Sequence, residues 1–97
     1  MKATVTPGQA DRGVALEAFR AEECTNPHAW ANGPDDRYGL HSHDFHKVLF
    51  CLDGSIVFHT DDGDLSMTAG DRLDLPPGTP HRAIVGPDGC ECIEAAR

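Results

Sequence analysis

Positive charge is scarce in this chain: eight Lys and Arg stand against sixteen Asp and Glu, a formal net charge of −8. So acidic a surface is a poor match for nucleic-acid phosphates or an anionic membrane, and neither partner is expected. Long apolar runs are missing as well. No stretch is long enough to cross a bilayer, and the opening residues MKATVTPGQADRG hold no apolar segment of the signal-peptide kind. The expected location is therefore cytoplasmic. The four cysteines, Cys24, Cys51, Cys90 and Cys92, include no CxxC pair. In a reducing compartment they stay thiols and pack as small apolar groups. Also absent are a Ser-His-Asp arrangement, a phosphate-cradling glycine loop and a basic-aromatic stripe. At 97 residues there is room for one domain and little for a second core.

What is present is a short helical signal followed by many short apolar runs. Residues 1 to about 12, with Pro7 and Gly8, show no periodicity and read as a loose leader. From Val14 to about Cys24, Ala15, Leu16 and Phe19 fall on one helical stripe. Residues 25–36 are rich in turn formers, with Trp30 as a packing residue on a short strand. Beyond Arg37, runs at 38–43, 47–52, 55–60, 64–68, 71–75, 81–85 and 90–95 alternate with glycine-containing turns. Asp53-Gly54, Asp62-Gly63, Pro77-Gly78 and Gly86-Pro87-Asp88-Gly89 are read as those turns. The expectation is one all-β domain over 1–97: leader and short helix in 1–24, a sandwich or barrel in 25–97.

Histidine carries the chemistry. His41 and His43 are two apart, so an extended backbone projects both imidazoles to one face. A third donor is needed to hold a divalent metal, and His81, behind Pro76-Pro77-Gly78-Thr79-Pro80, is the candidate. His46 has the opposite strand parity and is expected at the surface. His28 is expected solvated in a turn, and the facing of His59 stays open. Cys51 shares parity with Lys47 and Leu49, so it lines the interior or simply packs there. Asp71 and Asp74, beside turns, read as capping or solvated groups rather than an acid pair.

These residues resemble the cupin superfamily of small jelly-roll barrels. His41-x-His43, three residues, Lys47, and six more to Gly54 follows the first cupin motif, except that Lys47 stands where the family usually has a glutamate ligand. Gly70, five residues, Pro76-Pro77-Gly78, two residues, and His81 follows the second, with Val85 where Asn is usual. The resemblance implies a jelly-roll barrel holding a divalent transition metal (iron, nickel, manganese, zinc or copper) on His41, His43 and His81. It also implies a pocket for a small organic molecule, with Tyr38, Leu49, Cys51 and Trp30 as candidate lining, and a homodimer. Three fates are open to Lys47: it turns away to pair with Asp44 or Asp74 (the favoured reading), stays inside as a neutral amine, or replaces the metal's charge. Two functions follow. One is a metal-dependent enzyme of oxygenase or isomerase type in which Lys47 or Tyr38 supplies a proton or steadies an anion. The other is a non-catalytic barrel that binds a small molecule or a metal.

Overall fold

The structure, a computed structural model, describes residues 2–97. In chain order it contains β1 (Thr4–Thr6), α1 (Arg12–Ala21), β2 (Thr25–Asn32), β3 (Arg37–His41), β4 (Lys47–Thr60), β5 (Gly63–Thr68), β6 (Arg72–Leu75) and β7 (His81–Ala96). All pairings are antiparallel, in the order β1-β6-β4-β7-β2, with β5 added on β4 and β3 on β7. Among the described residues no helix is long and apolar enough to cross a membrane.

Two long, bent strands build the jelly roll. The first part of β4 pairs with β6 and with the end of β7, Lys47 opposite Ala96 and Phe50 opposite Ile93. Its second part pairs with β5 and with the start of β7, Ile56 opposite Val85 and Thr60 opposite His81. Each strand thus serves two walls. Register shifts at Cys51/Asp53 and Gly54/Ile56 mark the bend, where extra residues re-aim a strand without ending it. Asp53-Gly54 and Gly86–Gly89 are therefore bends within continuous strands, not the hairpin turns expected from their composition. Gly54 and Gly89 have φ of 72° and 79°, a region that glycine enters without steric cost.

Other boundaries also differ from expectation. The leader is not loose: Thr4–Thr6 pairs with Asp74, Leu73 and Arg72 of β6. The helix runs from Arg12, capped by Asp11, whose Oδ1 accepts from the Val14 amide at 2.9 Å. The turn-rich stretch at 25–36 is mostly an eight-residue strand. Asn26-Pro27 is accommodated by a bulge between Thr25 and His28, which tolerates the missing proline donor.

Strand alternation divides the apolar residues between two faces. Leu49, Cys51, Leu73, Leu75, Val85 and Cys92 belong to the barrel interior. Val48, Phe50, Ile93 and Ala95 point outward, against Ala15 and Phe19 of α1. Phe19 meets Phe50 edge to face at 5.7 Å between centroids, and burying such a ring contributes about 2–3 kcal/mol. Arg72 ties the helix end to β6, donating from Nη1 and Nη2 to Glu22 at 2.6 and 2.7 Å and from Nε to Asp74 at 2.9 Å.

Candidate metal centre

At one end of the barrel the pairing of β3 with β7 sets His41 directly opposite His81. His43 lies two residues past the end of β3, so it does not share a strand with His41 as its spacing suggests. Its carbonyl accepts the Gly78 amide at 2.7 Å, which pins its loop to the proline-rich approach to His81. The three rings nonetheless converge. Their centroids are 5.0 Å (His41–His43), 4.2 Å (His41–His81) and 5.2 Å (His43–His81) apart. One ligand atom from each lies within 4.8 Å of the other two.

Hydrogen bonding fixes which nitrogens are free. His41 Nδ1 is 2.6 Å from the Gly39 carbonyl and His81 Nδ1 is 2.9 Å from that of Thr79. A carbonyl only accepts, so each Nδ1 carries a proton, and in the neutral ring the lone pair is left on Nε2. Among the described residues, His43 Nε2 is buried and without a hydrogen-bond partner. Burial pushes His43 below the usual histidine range, helped by Lys47 and the two neighbouring imidazoles. His81, 2% exposed, is lowered by burial first and then by His41 and Lys47, against the Thr79 bond. Neutral imidazoles with inward lone pairs are what a divalent transition ion needs. A buried Nε2 without a partner, set beside two further imidazoles, is the chemistry of a metal-donor set, so the residues fit such an ion.

Beside the rings lies a cavity of about 220 Å³. His41 and His81 form one part of its wall, Leu49, Phe58 and Ala83 the apolar part, and Trp30, Tyr38, Lys47 and Glu94 the rest. Trp30 and Tyr38 meet edge to face at 5.7 Å. The Tyr38 hydroxyl donates to Asn32, and burial raises its pKa against that bond. Cys51 is elsewhere: fully buried in the core, opposite Cys92, with its thiol donating to the Asp53 carbonyl at 3.4 Å.

Lys47 does not turn away to Asp44 or Asp74. Its Nζ lies 3.0 Å from Glu94 Oε2, with both side chains about nine-tenths buried at 11% and 10% exposure. Asp74 is already engaged by Arg72 and by His46 Nε2 at 2.8 Å. His46, expected at the surface, is only 13% exposed there. His28 is on β2 rather than in a turn, with Nδ1 2.9 Å from the Asn26 carbonyl. His59 bonds Asp64 at 2.6 Å. Asp71 acts as a cap, accepting from the amides of Thr68 at 2.9 Å and Gly8 at 3.2 Å.

Glu94 is the residue that sequence reasoning misses. It accepts from Trp30 Nε1 at 2.6 Å through Oε1 while Oε2 faces Lys47. Its signal is parity: in Cys90-Glu-Cys92-Ile-Glu94 it alternates with two interior cysteines.

The family model described as the AraC-like ligand binding domain matches residues 29–92. A comparison with curated proteins gives no match. Among solved structures, a DUF861 family protein from Thermotoga maritima is similar over 99% of this chain and all of its own, at 15% identity and a TM-score of 0.70. A protein from Neisseria meningitidis is 27% identical over 72% of this chain and 70% of its own, with a TM-score of 0.62. An RmlC-like cupin from Shewanella frigidimarina is 23% identical, with a TM-score of 0.65 over 72% of this chain. The match spans 62% of that cupin's length.

Proposed function

The chain belongs to the AraC-like ligand binding domain family, of the cupin type, and we propose that it holds a divalent transition metal on His41, His43 and His81 and acts there on a small organic molecule. The observation that carries this reading is the buried, unpartnered Nε2 of His43, set among two imidazoles whose own Nε2 lone pairs are free. A divalent ion held by three neutral imidazoles supplies a Lewis acid with coordination positions left over for water or substrate.

The chain's own residues do the rest. Leu49, Phe58 and Ala83 give the cavity an apolar wall, which strengthens polar contacts made against it. The edge-to-face pair of Trp30 and Tyr38 offers a wall for a flat molecule. Lys47 can steady a negative oxygen of a ligand or exchange a proton with it, and Glu94 holds the lysine in place. A cavity of about 220 Å³ lies below the roughly 300 Å³ at which drug-sized pockets begin. That suits a small organic acid, diketone, phenolic or sugar-like molecule, and chemistry of oxygenase or isomerase type. A buried acid–base pair beside the imidazoles favours an enzyme. The neutralisation of Lys47 by Glu94 favours the second reading, a barrel that binds a ligand without changing it. The proposal includes a homodimer formed through the exposed β2 and β3, where Leu40 is 68% exposed.

Elemental analysis tests the metal: the wild type carries about one equivalent, by the three-ligand logic of such sites, and His41→Ala and His81→Ala lose it. Wild-type protein purified without chelators and unable to take up zinc, nickel or iron would falsify the reading. Oxygen uptake and product analysis over a panel of small acids and diketones then separate the functions. A thermal shift with one compound that is recovered unchanged selects the binding barrel.

A further inference from the structure

A lysine sharing a cavity wall with metal ligands is repelled by whatever cation they hold. Lys47 is such a residue, lining the same cavity as His41 and His81. Among the described residues its only carboxylate within ion-pairing distance is Glu94, 3.0 Å away. Glu94 is itself fixed: Oε1 takes the Trp30 indole N–H at 2.6 Å, and the backbone holds it opposite Leu49 on one side and His28 on the other. His28 Nε2, 3.7 Å from Oε2, is the other basic group facing this carboxylate. A carboxylate anchored at one oxygen cannot follow the ammonium around the cavity. It therefore sets where that ammonium rests.

Building on the three-imidazole reading, we propose that Glu94 is a positioning residue that supplies the negative charge the ligand set lacks: it neutralises and anchors Lys47 so that His41, His43 and His81 can hold a divalent cation. The acid sits toward the other end of β7, the strand that also carries His81, and acts on the cation through the lysine. Glu94 is not itself within ligand distance of all three imidazoles, since among the described residues the group of donors within 4.8 Å of one another holds the histidines alone. With Glu94 present, the pair adds no net charge beside the bound ion. Without it, a buried positive charge remains on the wall, and the low local dielectric lets its repulsion be felt.

The test uses zinc alone as the probe, with affinity read by competition against a chromophoric chelator. Glu94→Gln keeps the shape and an acceptor for Trp30, and it weakens zinc binding by about tenfold or more through the uncompensated lysine. Glu94→Gln combined with Lys47→Met restores affinity to within about threefold of wild type, because the two changes are coupled. A merely structural role for Glu94 predicts no such rescue. Unchanged affinity in Glu94→Gln overturns the proposal, and so does a double variant as weak as the single one. If Glu94→Gln does not fold by circular dichroism, Lys47→Met alone decides. It should bind zinc more tightly than wild type, and equal or weaker binding overturns the proposal. A wild type that binds no zinc, nickel or iron removes the three-imidazole reading first and this inference with it. Zinc binding that is intact but indifferent to residues 47 and 94 removes only the inference.

Discussion

Substituting Gly54 by alanine should damage the fold more than any other exchange of a glycine for one methyl group in a turn or bend of comparable exposure. Gly54 has a φ of 72°, and a Cβ there would stand 1.9 Å from the Gly89 carbonyl oxygen and 2.8 Å from its carbon. The obstacle is backbone, so no rotamer change relieves it. Gly89 would have to retreat while its own neighbours stay paired, Gly54 opposite Cys90 and Asn32 opposite Cys90. The left-handed backbone costs a side chain about 1–2 kcal/mol, and forcing the overlap apart adds about 1–3 kcal/mol. The total of about 2–5 kcal/mol is a large part of the roughly 5–15 kcal/mol expected of a domain this size. Two controls separate the contributions. Gly63 has a φ of 126° with nothing within 4 Å of its added Cβ, so Gly63→Ala should cost only the backbone part, about 1–2 kcal/mol. Gly39 has neither feature, and Gly39→Ala should be neutral or stabilising by up to about 1 kcal/mol. Urea unfolding followed by the fluorescence of Trp30, the single tryptophan, measures all three. Equal losses in Gly54→Ala and Gly63→Ala would refute the close approach of the two bends.

The Arg72 network should make stability depend on acid. Its bonds hold Glu22 below the usual carboxylate range; burial pushes Asp74 up, but the bonds from Arg72 and His46 outweigh it and leave Asp74 lowered too. Folded pKa values below unfolded ones mean that the contribution is complete above the unfolded values of about 4 and is lost as pH falls through the folded ones. Arg72→Ala should cost about 1–3 kcal/mol at neutral pH and flatten the acid limb of a melting-temperature profile; an unchanged slope argues against the network. Trp30→Phe retains an aromatic face toward Tyr38 but leaves Glu94 Oε1 without its indole donor. A loss of about 1–3 kcal/mol follows, and a denaturation midpoint equal to wild type by circular dichroism contradicts it.

Much of the fold is legible because strand alternation and glycine punctuation are local properties. The bends are not. A glycine with positive φ serves a hairpin turn and a bulge equally well. What decides between them at Gly54 is whether a neighbouring strand continues alongside, and β7 does, from Ala96 opposite Lys47 to His81 opposite Thr60. The same limit hides β1. Three residues carry no period, and Thr4–Thr6 becomes a strand only because β6 lies beside it in space.

At the site, residue spacing points to His41, His43 and His81, and the structure brings their rings together. The partner of Lys47 is harder to read, because the acids beside the two histidine motifs, Asp44 and Asp74, are the first candidates. Parity excludes Asp74. Leu73 and Leu75 face the barrel interior, so Asp74 between them faces outward, opposite Val48 and beside the Arg72 that grips the helix. Lys47 alternates with Leu49 and faces inward, so the sheet itself separates it from Asp74. Only an acid on the same inner face can reach it. On the neighbouring strand that acid is Glu94, in register with Leu49 and in step with Cys90 and Cys92. The ion pair therefore follows from strand alternation once β4 and β7 are known to be neighbours, and that adjacency is a long-range fact that residue spacing alone does not carry.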